Sequence, residues 1–193
     1  MTRTDDRKPW LQRGLAVALA GLLTACAAPT PADYSAEKPV LDLRRYFDGE
    51  LTAYGIFTDR SGKVVKRFTV AMNAHWQGDE GVLNEAFSYS DGSTQHRVWR
   101  LRRFADEQGV VRYTGQADDV IGVAEGRAAG NALQWAYTLR LPVDGRSYEV
   151  QFDDWMFLVD ERVMINRAVM SKFGIRLGEV TLSFVKPVQG TRP

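Results

Sequence analysis

Histidine and cysteine, which often carry acid–base, nucleophilic or metal chemistry, are few in this sequence of 193 residues. It has two histidines, His75 and His96, and the acidic pairs considered beside them are Asp118-Asp119 and Asp153-Asp154. Neither pair has a known metal-ligand spacing to a histidine, so no metal site and no cofactor is expected. The Gly-x-Ser-x-Gly motif of serine hydrolases does not occur in the sequence. The sequence therefore assigns no catalytic residue, and an enzyme is the less favoured interpretation.

The two histidines are expected on strands. His75 alternates with polar residues and should face solvent. His96 is predicted to share a face with Glu85 and Phe87 across the turn at Asp91-Gly92. There it is either a histidine hydrogen-bonded at a strand surface or a base beside an acidic group.

The single cysteine, Cys26, follows a segment with the layout of a secretory signal. Residues 1–13 carry four basic side chains, and residues 14–23 form an apolar run too short to span a membrane. Leu-Thr-Ala-Cys at residues 23–26 resembles the bacterial lipobox, in which the chain is cut before a cysteine whose sulfur receives diacylglycerol. A buried free thiol is the alternative. We predict that residues 1–25 are a lipoprotein signal peptide and that acylated Cys26 holds the chain on a membrane.

Composition predicts the location and organisation of the mature chain. Ala27, rather than aspartate, follows the cysteine, and in lipoproteins of enteric-type bacteria this pattern accompanies transfer to the outer membrane, facing the periplasm. Residues 26–39 are rich in alanine and proline and are predicted to be a flexible tether, with one domain over 40–193. Removing residues 1–25 lowers 25 basic and 24 acidic residues to 21 and 22, so nucleic acid is not an expected partner. Protein partners cannot be predicted.

From Val40 onward the sequence is typical of an all-β domain. Residues 40–47 are predicted to be a short helix, and apolar and polar residues then alternate with a period of two between regularly spaced turns. Short connections favour an antiparallel up-and-down β-barrel of about 8–10 strands with a lined interior. The predicted strands are 50–57, 63–76, 82–90, 93–104, 110–117, 121–128, 132–141, 146–159, 162–172 and 175–186.

Register places a candidate site inside this barrel. With Val159 opposite Arg162, one face combines apolar side chains with Asp154 and, directly opposite it, Arg167. The two are predicted to form an internal ion pair, either purely structural or with Arg167 also receiving the acidic head of a ligand. The other predicted ligand-binding residues share the face of Asp154: Trp135, Tyr137, Phe152 and Met156.

Two long stretches resemble a known family. They are YFDGELTAYGIFTDRSGKVVKRFTV, residues 46–70, and residues 113–174, which contain NALQWAYTLRLPVDGRSYEVQFDDWMFLVDERVMINRAVMSKFG. With the lipobox, they resemble bacterial lipoproteins of domain of unknown function 3833, and the likeness extends from Tyr46 to Lys186. The resemblance implies a barrel like that of the lipocalins and calycins, and no activity, because that family has none established.

These observations favour a lipid-anchored envelope protein that binds a lipid, a fatty acid or another apolar ligand in its barrel. The alternatives are a barrel enzyme acting on an envelope lipid and a non-catalytic structural subunit with a packed interior. A cavity of several hundred cubic ångströms is expected only if the interior is open to a ligand.

Overall fold

The computed structural model describes residues 28–143 and 145–188. The predicted signal peptide and Cys26 lie outside the described residues. Within these ranges no helix is both long and apolar enough to cross a membrane.

Ten antiparallel strands close into one up-and-down barrel, which confirms the predicted fold class. Each strand pairs with its neighbours in sequence, and β1 pairs with β10. The alternation that predicted the strands is the alternation of burial: in β2, Phe68, Val70, Met72 and Ala74 face inward between exposed residues. The strands are Gly49–Asp59 (β1), Val64–Gln77 (β2), Glu80–Tyr89 (β3), Thr94–Ala105 (β4), Val111–Gln116 (β5), Val120–Ala129 (β6), Ala132–Val143 (β7), Arg146–Leu158 (β8), Val163–Lys172 (β9) and Ile175–Val185 (β10).

A short helix closes one end of the barrel. Helix α1, Leu43–Phe47, begins after Asp42, whose carboxylate accepts a hydrogen bond from the backbone N–H of Arg44 at 2.9 Å. The ring of Phe47 packs edge-on against Phe184 of β10 with centroids 5.6 Å apart. This buried helix forms the floor of the interior, and the barrel remains open at the opposite end.

The segment before this helix differs from the predicted flexible tether. Pro31–Tyr34 form a turn of 3-10 helix in which Pro31 is buried. The Tyr34 ring lies edge-on to the rings of Phe157, at 5.1 Å, and Trp155, at 5.9 Å, on the outer face of β8. These aromatic contacts help to hold the proline-rich segment against the barrel, together with a hydrogen bond from the backbone N–H of Leu41 to the carbonyl oxygen of Gly130. The described part of residues 26–39 is therefore docked at the closed end.

The predicted register is wrong by two residues in β7–β8 and by one in β8–β9. The first error keeps every side chain on its predicted face, because facing alternates with a period of two. The second reverses β9: Asp154 lies opposite Ala168, and Arg167 lies opposite Trp155 on the outer face. The predicted Asp154–Arg167 ion pair therefore does not form. Arg167 instead pairs with Glu179 at the surface.

Candidate functional site

The barrel encloses a cavity of about 860 Å³. Leu43 and Phe47 of α1 form its floor. Asp59, Ser93 and Leu177 line it at the other end, where the β1–β2, β3–β4 and β9–β10 turns surround the opening. The volume lies within the usual range of small-molecule sites. The interior therefore has room for a ligand that would enter at the end opposite the helix.

Aromatic side chains form much of the cavity wall. Trp135, Tyr137, Phe152 and Met156 all line it, as their predicted facing requires. Tyr137 and Phe152 stack with ring centroids 5.0 Å apart, and Trp99 packs edge-on against Tyr137 at 5.5 Å. That these residues contact a ligand stays a prediction.

Two glycines in neighbouring strands position the Trp135 ring. A Cβ on Gly115 of β5 would lie 2.7 Å from Cζ2 of the indole, and one on Gly126 of β6 would lie 2.6 Å from Cε3. Both separations are shorter than real Cβ atoms allow. Glycine at both sites lets the indole lie flat on the backbone, which leaves the centre of the cavity open.

Asp154 is buried in the cavity wall with neutral partners. The Asn166 side-chain amide donates to its Oδ2 at 3.3 Å, and the Tyr137 hydroxyl lies 3.5 Å from the same oxygen. Burial raises the pKa of the Asp154 carboxyl to about 7, because these contacts stabilise the charge less than water would. Burial, with the nearby Asp154 charge, also raises the pKa of Tyr137 well above its ordinary value. Close to neutral pH this carboxyl can therefore exist in both protonation states.

The ion pair inside the barrel is formed by Glu85 and Arg97, which lie directly opposite each other in β3 and β4. Their closest charged atoms are 3.6 Å apart. Asp119, in the β5–β6 turn, accepts from Nε of Arg97 at 3.0 Å and from Nη2 at 2.8 Å. The guanidinium also lies over the ring of Phe87, 5.4 Å from its centroid. Two carboxylates therefore share one buried cation.

This cluster sets the charge of the cavity. Burial raises the pKa of Glu85 to about 7, since Arg97 offsets the lost hydration only in part. Burial opposes the charged form of Arg97 too, but Glu85 and Asp119 raise its pKa, so it stays protonated. The positive charge of Arg97 is compensated within the protein before any ligand binds.

Sequence reasoning did not place Glu85, Arg97, Asp119 or Asn166 in the cavity wall. Glu85 and Arg97 could have been recognised in the sequence as opposite charges that face each other beside the apolar pair Leu83 and Trp99. That recognition requires a β3–β4 register shifted by one residue from the predicted one. In the actual register His96 lies opposite Ala86 and is exposed, so its predicted position beside Glu85 is wrong. His75 is exposed as predicted.

The arrangement offers hydrogen-bond acceptors to the interior. Two buried oxygens of the cavity wall have no hydrogen-bond donor among the described residues, Oδ1 of Asp154 and Oδ1 of Asn166, whereas Oε2 of Glu85 has the Arg97 guanidinium 3.6 Å away. Buried acceptors without partners are costly, and a polar molecule in the cavity could satisfy them. The site is therefore suited to binding an amphipathic molecule.

Solved structures resemble this chain in fold. An S-type phycobiliprotein lyase, CPES from Guillardia theta, aligns with 84% of this chain and 99% of its own, at 7% identity and a TM-score of 0.54. A de novo designed fluorescence-activating β-barrel aligns with 76% of this chain and 99% of its own, at 16% identity and a TM-score of 0.39. The first likeness supports the fold alone, and the second carries no argument.

No curated protein matches the sequence. The family model described as protein of unknown function, DUF3833, matches residues 20–186. The match includes all ten strands and the helix that closes the barrel. The chain therefore belongs to the DUF3833 family.

Proposed function

We propose that this protein is a lipid-anchored component of the bacterial cell envelope that holds an apolar or amphipathic ligand, such as a lipid, inside its barrel. The observation that carries the proposal is the cavity of about 860 Å³ with its largely aromatic and aliphatic wall. A packed structural subunit would instead need side chains to fill this space.

The polar groups of the cavity favour a ligand head that donates hydrogen bonds. Glu85 and Asp119 already compensate Arg97, so a fatty-acid carboxylate would compete with them for the guanidinium. The oxygens of Asp154 and Asn166 that lack donors have almost no accessible surface, so a hydroxyl or an amine would donate to them once these side chains turn toward the cavity. A long-chain alcohol or amine therefore suits the site better than the corresponding fatty acid.

Binding is tested with three fluorescent long-chain probes that share one body and end in an alcohol, an amine or a carboxylate. Ala168→Phe places a ring in the cavity, since Ala168 is buried and lines it, and should weaken binding at least tenfold. Ala136→Phe makes the same change on an exposed position of β7 and is the matched control. Equal affinity of both variants for every probe would refute binding in the cavity. Chemical conversion of a probe would indicate the enzyme instead.

The anchor is tested separately. Cys26→Ser should abolish labelling with radioactive palmitate and release the protein from the membrane fraction. A variant that is still labelled and stays in the membrane fraction would contradict acylation of Cys26, and would leave the cavity proposal unaffected.

A further inference from the structure

Apolar side chains are exposed beside the cavity opening. They lie on the β1–β2 and β9–β10 hairpins, which are neighbours because β1 pairs with β10 and Asp59 lies opposite Gly178. Two members of the set also line the cavity, so the exposed apolar surface continues into its opening. We call this set the mouth patch: Val64, Val65, Phe173, Ile175 and Leu177.

Phe173 is the most exposed member of the patch, at 88% of its possible surface. It lies at the tip of the β9–β10 hairpin with a φ of 51°, a left-handed conformation that bulky residues rarely adopt. Asparagine before Gly174 would suit this two-residue turn better. An aromatic ring that is both strained and exposed adds little to the barrel's own stability. Its place points to a contact outside the chain.

The hairpins that carry the mouth patch are basic. Residues 59–66 and 172–177 contain five basic side chains and one acidic, although the whole chain has 25 basic and 24 acidic residues. Two of the five, Lys66 and Arg176, form ion pairs with Asp91 and Glu179 outside these ranges. The Lys172 ammonium lies 5.2 Å from the centroid of the Phe173 ring, so charge and apolar surface are adjacent. Exposed apolar residues flanked by lysine and arginine are typical of surfaces that enter the headgroup region of anionic membranes.

We propose that the mouth patch docks on an anionic phospholipid surface, with Phe173 and Ile175 entering the boundary between headgroups and acyl chains. Docking in this orientation holds the cavity opening against the bilayer. If the cavity carries an apolar ligand, as proposed above, that ligand passes between bilayer and barrel without crossing water. The docking itself does not depend on the ligand.

The test places an environment-sensitive NBD label at one position of the full chain carrying Cys26→Ser. Ile175→Cys puts the label in the mouth patch, and Val159→Cys puts it at the closed end. The two positions are matched, at 58% and 59% exposure. With phosphatidylglycerol vesicles, the fluorescence emission of the label at 175 should shift to shorter wavelength, and the emission of the label at 159 should not shift. Phosphatidylcholine vesicles should give no shift, and high salt should reduce the shift with phosphatidylglycerol.

A second substitution separates docking from folding. Phe173→Asn relieves the strain of the turn, so the barrel should be at least as stable as before in urea. The substitution should also weaken docking, because the variant has no aromatic ring at residue 173 to transfer from water into the bilayer. The lipid concentration that gives half of the maximal emission shift at residue 175 should rise at least tenfold.

Three results would overturn the proposal. They are no shift at residue 175 with anionic vesicles, equal shifts at residues 175 and 159, and equal shifts with anionic and zwitterionic lipid. A shift that depends on protein concentration without vesicles would overturn it too, because the patch would then bind a second copy of the chain. None of these outcomes bears on probe binding in the cavity, which the Ala168→Phe variant tests.

Discussion

Replacing Asp154 by asparagine should stabilise the protein at neutral and alkaline pH. Asp154 is 6% exposed, and the side chains hydrogen-bonded to its carboxylate, Asn166 and Tyr137, carry no charge. An asparagine has the same shape and no charge to bury. Its amide could donate to Oδ1 of Asn166, which has no donor among the described residues. The substitution therefore removes the cost of an ionised buried group.

The pH dependence gives this prediction a magnitude. The folded-state pKa of Asp154 is raised from 3.8 to about 7, so the folded protein binds more protons than the unfolded chain between these values. Its stabilising contribution is complete below the unfolded pKa and is lost as the pH rises through the folded pKa. At about 1.4 kcal/mol per pH unit, between about 2 and 3 kcal/mol is lost from pH 5 to pH 8.

Urea unfolding of wild type and Asp154→Asn at a series of pH values measures this loss. The stability difference between them should grow in favour of the variant by about 2–3 kcal/mol from pH 5 to pH 8. The pKa of Glu85 is also raised, so Glu85 makes the free energy of unfolding fall with rising pH in both proteins. Its contribution cancels in the difference between them. Asp153→Asn, on the outer face where Gln134 donates to the carboxylate at 2.8 Å, is the control and should show no such growth. A difference that stays constant across this range would refute the argument from burial.

Two further substitutions test the register and the docked N-terminal segment. Arg167→Met removes only a surface pair with Glu179, so urea unfolding should show a loss below about 1 kcal/mol, whereas a loss above about 3 kcal/mol would indicate a buried ion pair. Gly130→Ala places a Cβ 1.7 Å from the backbone oxygen of Tyr34, while Gly92→Ala, also at positive φ, meets nothing within 4 Å. The first alanine should therefore cost about 2 kcal/mol or more beyond the second, and equal costs would contradict the docking of that segment.

The sequence was sufficient for the strands and for part of the cavity wall. Period-two alternation marks each strand, so all ten could be located. Trp135 and Phe152 were placed inside correctly even though the β7–β8 register was off by two, because an even slip preserves facing.

The register of the β8–β9 hairpin was predicted wrongly because the length of its turn was misjudged. The carboxylate of Asp160 accepts hydrogen bonds from the backbone N–H groups of Arg162, at 2.7 Å, and Val163, at 2.8 Å. These bonds stabilise a turn that is one residue longer than the assumed Asp160-Glu161 turn. That single residue turned Arg167 outward and brought Asn166 into the cavity wall.

The docked segment before α1 limits how the barrel can stand on a membrane. Pro31 lies within one helical turn of Tyr34, which packs at the closed end. Four residues lie between Cys26 and Pro31, and the five steps from one to the other reach at most about 18 Å. The 13 residues of β8, tilted as barrel strands are, span about 30 Å of barrel height. An acylated Cys26 would therefore keep the closed end close to its own membrane and would prevent the opening from facing that membrane. In a two-membrane envelope, a barrel anchored in this way would be fastened to one bilayer and could present its opening to the other.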